Sequence, residues 1–197
     1  MKKIIIVIII LCSIALGIDY YINNQNNKYN EYIKESYNYI YEANYITGNI
    51  NYDIDKTWEY YTNNEEINRT ELNKIVSLKP NEMYAEECNY IHTKKIDMVL
   101  GCITSSHYDI GTYELANSKL IKAKNYLKKI EDLGISSTKT DEMNRLYDAS
   151  VDYYSLAKYY GEDYEEYKEY LDRIKRRIER IEEKYIDLYE SRSNNSM

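Results

Sequence analysis

From Met143 to Leu188 the chain places an apolar or small residue at intervals of three and four: Met143, Leu146, Ser150, Tyr153, Ala157, Tyr160, Tyr164, Tyr167, Leu171, Ile174, Ile178, Ile181, Tyr185 and Leu188. A strand cannot use that spacing, because its side chains repeat every two residues. The pattern predicts one long helix with a coiled-coil seam, drawn most cleanly by Tyr164, Tyr167, Leu171, Ile174, Ile178, Ile181, Tyr185 and Leu188. Gly161 lies inside the run without shifting its register. The flanking residues from Asp172 to Lys184 mix both charge signs, as a solvated, ion-paired helix face does. Such a stripe must be covered, either by other helices of the same chain or by a second copy.

Two earlier stretches share the helical period. The first runs through Tyr29, Ile33, Ser36, Ile40, Ala43, Thr47, Ile50, Ile54 and Tyr61, with Gly48 expected to stop or kink it, and a shorter piece from Glu65 to Leu78 follows. Pro80 ends that piece and opens a second stretch through Tyr84, Cys88, Ile91, Val99, Cys102, Ser106, Ile110, Tyr113, Ala116, Leu120, Ala123, Leu127 and Ile130. Gly101 and Gly111 fall within it, with a break possible at residues 108–112, and Asp132, Leu133 and Gly134 form a helix stop. A single proline in 197 residues leaves little room for the frequent turns of an all-β fold. The expected fold class is therefore all-α: an elongated antiparallel helical bundle of three long arms (29–78, 81–133 and 140–190), the first arm broken. All but one of the aromatic residues are Tyr and none is Phe, which suits a thin structure whose phenol hydroxyls reach water.

Ahead of the bundle, Lys2 and Lys3 precede an apolar run from Ile4 to Ile18 broken only by Ser13. Its most apolar part is Ile4, Ile5, Ile6, Val7, Ile8, Ile9, Ile10 and Leu11, the membrane-anchor residues. Ala15 to Gly17 would equally suit cleavage of a signal peptide after Gly17. Leu11 precedes Cys12 where lipidation needs a small residue, so no lipid is expected there. Either outcome places the rest outside the cytoplasm, on a single-pass anchor or secreted. The expected organisation is an anchor or signal peptide over 1–22, a polar Asn-rich stalk over 23–28, the bundle over 29–190 and a disordered tail over 191–197.

A net charge of −7 disfavours nucleic acid as a partner. Cys88, His92, Cys102 and His107 are the soft-ligand residues, but about 21 Å of helix between Cys88 and Cys102 keeps them from sharing a metal. Carboxylates such as Glu162, Asp163, Glu182 and Glu183 are expected on solvated faces, without the cleft that acid and base catalysis requires. There is no glycine-rich phosphate loop and no nucleophile elbow, so neither an enzyme nor a cofactor is expected. The tyrosines of the seam are expected in the core, and Tyr37, Tyr39, Tyr159 and Tyr170 on an exposed aromatic patch.

Gly111, Tyr113, Ala116, Leu120 and Ala123 are similar in spacing to the second helix of a tetratricopeptide unit, over residues 97–130. The first-helix Gly and terminal Pro of that repeat are missing, and we assign no family on it. The functional expectation is a non-enzymatic extracytoplasmic spacer, adaptor or protein-interaction module, with a membrane and a protein partner or a second copy as its contacts. The alternative is an extracytoplasmic sensor or small-ligand-binding bundle, its ligand between helices near Trp58.

Overall fold

The computed structural model describes residues 2–62 and 96–186; the side chains of residues 2–15, 60, 97 and 98 lie outside that description. All the regular structure of the described residues is α-helical. In chain order the helices are α1 (Lys2–Thr62), α2 (Ile96–Asp109), α3 (Thr112–Asp132), α4 (Thr138–Leu156) and α5 (Tyr164–Glu182). The stretch from Glu65 to Leu78, Pro80, Cys88, His92, Leu188 and the tail fall outside the described residues.

α1 runs for 61 residues, roughly 90 Å at the helical rise. It passes through Gly48, where a stop or kink was expected. An interior glycine costs about 1 kcal/mol relative to Ala. The buried neighbours Thr47, Ile50 and Asn51 hold the helix together there. The polar stretch 23–28 is also helical, because α1 carries straight through it.

The helices pack round the part of α1 that follows Tyr29. α3 lies antiparallel to α1, with Tyr126 against Tyr32 and Tyr39 and Lys119 paired with Glu42. α5 also runs antiparallel to α1, with Lys168 on Asp55 and Glu182 on Asn44. The α3–α4 connection reaches the start of the packed region, where Tyr29 hydrogen-bonds Ser137 and Thr140. All six periodic positions of α3, from Tyr113 to Ile130, are buried.

The final stretch is two helices, where one continuous arm was expected. α4 ends at Leu156, and the backbone turns through Tyr159 (φ 45°) and Gly161 (φ 96°). Asp163 then caps α5 by accepting from the Glu166 amide at 2.9 Å. α5 folds back on α4 as a hairpin, with Arg177 on Asp152 and Lys184 on Glu142. The apolar register survives because the connection is close to two helical turns long, so periodicity alone could not reveal it. α2 and α3 are likewise separate, divided at Gly111 (φ 76°), and Ile110, expected on the apolar stripe, is exposed at this break before α3.

Candidate functional site

α1 carries the expected anchor residues and makes contact with every other described helix. Ile4 to Leu11, expected from the sequence to form a membrane anchor, lie along it, in the part whose side chains are outside the description. Beyond them Leu16, Ile18, Tyr20, Tyr21 and Ile22 are all exposed, a run of apolar surface that soluble domains seldom leave uncovered. Among the described residues no helix is long and apolar enough to cross a membrane. From Tyr29 onward α1 turns its side chains into the core, with Ile33, Tyr37, Ile40, Ile50, Ile54 and Trp58 buried.

Of the seam residues, Tyr167, Leu171, Ile174, Ile178 and Tyr185 are buried and Tyr164 and Ile181 half-buried. They pack on α4 and more lightly on α1. Tyr160 departs from its expected place, at 75% exposed, because it belongs to the turn between α4 and α5. The expected aromatic patch is not formed as drawn. Tyr37 is fully buried, Tyr39 and Tyr159 are half-buried, and Tyr170 alone of the four is exposed. α1 is covered on more than one face, so positions off its main stripe are buried as well.

α1 also buries Ser36, Asn38, Asn44, Thr47, Asn51, Asp53 and Thr57, a polar file that meets the other helices. Asp53 Oδ2 lies 3.0 Å from His107 Nε2. Burial raises the Asp53 carboxyl, and the hydrogen bond from His107 opposes that. The Asn51 amide donates to the Tyr153 carbonyl at 3.2 Å, and the Tyr113 phenol donates to the Ala157 carbonyl. The fully buried tyrosines Tyr113 and Tyr167 thus give their hydroxyls to carbonyls inside the protein, where access to water was expected. Trp58 stacks on Tyr164 at 5.4 Å and meets Tyr61 and Tyr159 edge-on, and its indole N–H has no partner among the described residues.

Two grooves flank Tyr41 and Tyr45. One, of about 340 Å³, runs between α1 and α3 beside Ile46, Leu115 and Lys119. The other, of about 310 Å³, lies between α1, α4 and α5 and contains Glu182. Glu182 is half-buried where a solvated carboxylate was expected, and it accepts from the Asn44 amide at 2.8 Å. Burial raises its carboxyl, opposed by the hydrogen bond from Asn44 and helped by the neighbouring charge of Glu179. Sequence reasoning missed this residue because it follows the apolar seam position Ile181 by one and looks like an outward-facing charge.

Cys102 is half-buried on α2, and His107 faces Asp53. Among the described residues no group of three His, Cys, Asp or Glu is placed to hold a metal ion. No protein-family model, curated protein or solved structure matches this chain.

Proposed function

We propose that this chain is a non-enzymatic helical bundle working outside the cytoplasm, held at a membrane by its N-terminal segment or released by cleavage after Gly17. Its role is that of a spacer, adaptor or protein-interaction module. One observation carries this reading: α1 leads without a break from the apolar residues Ile4–Leu11, through the exposed residues around Tyr20, into the core beyond Tyr29. A flexible linker would leave the bundle free to wander, whereas a continuous helix fixes its distance from whatever holds the N-terminus. The helical stretch 23–28 beyond the anchor would supply roughly 9 Å of standoff.

The polar core supports a structural role. Two of its pairs, Asp53 with His107 and Tyr167 with Asn51, join α1 to its neighbours. The test is expression with a C-terminal reporter that reports the side of the membrane, followed by fractionation and N-terminal sequencing. The full chain is expected in the membrane fraction, or secreted with a new N-terminus at Ile18, with the reporter outside. Deletion of residues 4–18 should leave it in the cytoplasm. A full-length chain found soluble in the cytoplasm would refute the proposal.

A further inference from the structure

Tyr108, near the end of α2, and Tyr113, near the start of α3, place their ring centroids 4.3 Å apart with the planes 30° from parallel. The stacks of Trp58 on Tyr164, at 5.4 Å, and of Tyr39 on Tyr126, at 5.9 Å, are both wider. The two rings also differ in access. Tyr108 is 52% exposed, whereas Tyr113 is fully buried and its hydroxyl donates to the Ala157 carbonyl. One ring is therefore open to a reagent in water, and the core holds the other against it. The turn between them is closed by the Gly111 amide donating to the Tyr108 carbonyl at 3.0 Å.

Packing alone does not call for phenols here. An offset stack of two rings is equally available to Phe, yet the chain uses 26 Tyr and no Phe. What the hydroxyl adds is chemistry: a phenol can be oxidised by one electron, leaving a radical with spin on the carbons ortho to its oxygen. A second phenol held in contact with such a carbon is its natural coupling partner, because proximity replaces an encounter in solution. Tyr154 also touches Tyr113, but edge-on at 6.1 Å, so Tyr108 is the partner that distance selects.

We propose that Tyr108 and Tyr113 are an oxidative modification site, where hydrogen peroxide and a haem peroxidase join the two rings carbon to carbon as a dityrosine tying α2 to α3. Tyr108 first loses one electron to the oxidant and its hydroxyl proton to water. Its ortho carbon then bonds to an ortho carbon of Tyr113, and loss of a second electron restores both aromatic rings. The ring hydrogen of Tyr113 leaves as a proton and that of Tyr108 moves to its own oxygen, so the Tyr113 hydroxyl keeps its bond to Ala157. The two electrons and two protons released convert one hydrogen peroxide into two waters. The new bond spans the break at Gly111 and restricts α2 as any covalent cross-link restricts the chain it closes. The site is independent of how the N-terminus is held, so its failure would leave the anchored-bundle proposal untouched.

The test treats the full-length chain, dilute and in a mild detergent, with hydrogen peroxide and a haem peroxidase. Dityrosine fluorescence is expected in the monomer band of a denaturing gel. Cleavage ahead of Asp109, which separates Tyr108 from Tyr113, should leave the two peptides joined and two hydrogens lighter than their sum. Tyr108→Phe keeps the exposed ring without its phenol, and its monomer is expected to lose the joined peptides and their fluorescence. Should that variant fail to fold, Tyr113→Phe serves instead, with the same loss expected. Coupling between molecules through open phenols such as Tyr160 shows that the oxidant is active; found alone, without the joined peptides, it overturns the proposal. The proposal is equally overturned if the joined peptides do not form at all, or if the folded variants gain as much dityrosine in the monomer as the parent does.

Discussion

The phenol of Tyr167 donates to Asn51 at two places, the backbone carbonyl at 3.2 Å and the side-chain oxygen at 3.0 Å. Both residues are fully buried, and the contact ties the second half of the α4–α5 hairpin to the middle of α1. Because Asn51 also donates to the Tyr153 carbonyl, a single side chain links three helices.

Tyr167→Phe keeps the ring and removes the donor, leaving the Asn51 oxygen buried without a partner. The expected loss is about 1–2 kcal/mol, seen as a fall in Tm of roughly 3–6 °C by circular dichroism. A variant melting with the parent would show that this link carries none of the stability.

Gly161 and Gly48 should respond to alanine in opposite directions. At Gly161 the φ of 96° puts any Cβ under strain, so Gly161→Ala is expected to cost about 1–2 kcal/mol. At Gly48 a Cβ would meet only the Tyr153 hydroxyl at 3.5 Å, an ordinary contact, and helix propensity favours Ala by about 0.5–1 kcal/mol. Chemical denaturation of both variants measures the contrast. A stabilising Gly161→Ala would mean that residues 157–163 are helical after all.

Burial raises the carboxyls of Asp53 and Glu182, so the folded protein holds those protons more tightly than the unfolded chain does. Their contribution favours folding while they are protonated and is lost as pH rises from the ordinary carboxylate range of about 4 through their folded values. Glu142 works the other way: Lys184, and then Tyr185, lower it, and its contribution is lost as pH falls. Glu182→Gln, which keeps an acceptor for Asn44, should raise Tm near pH 7 and flatten the decline that sets in as pH rises above the ordinary carboxylate range. An unchanged profile would contradict the burial of this carboxyl.

The tyrosines give a matching test in base. Burial, with a smaller opposing hydrogen bond from Asn51, pushes Tyr153 up to about 12, and Tyr37, Tyr113, Tyr167 and Tyr185 are raised as well, chiefly by burial. An acid raised by folding loses stability as pH climbs past its unfolded value of about 10. Parallel absorbance and circular dichroism titrations should show the last phenolates appearing together with loss of helix. Complete ionisation with the helices intact would count against the packed tyrosine core.

Helical class was legible because spacing of three and four is hard to mistake, and the buried face of α3 from Tyr113 to Ile130 can be read directly from it. The turn between α4 and α5 was hidden by its length, which returned Tyr164 to the register of Ala157. A local signal was present in Asp163 with Glu166 three residues on, the pattern that opens a helix. Gly48 misled in the other direction, since glycine propensity is a weak term beside burial on several sides. Glu182 was illegible for a different reason: its partner Asn44 is 138 residues away, and no local pattern joins them.

The unbroken α1 makes orientation a matter of counting. Each residue inserted into the exposed span before Tyr29 would raise the packed helices by about 1.5 Å and turn them by about 100° around its axis. Four inserted residues would nearly restore the original heading, and two would point the opposite face outward. In a chain held at its N-terminus, as proposed, the length of that span would therefore select which side of the protein is presented, as the thread of a screw selects the angle at which its head comes to rest.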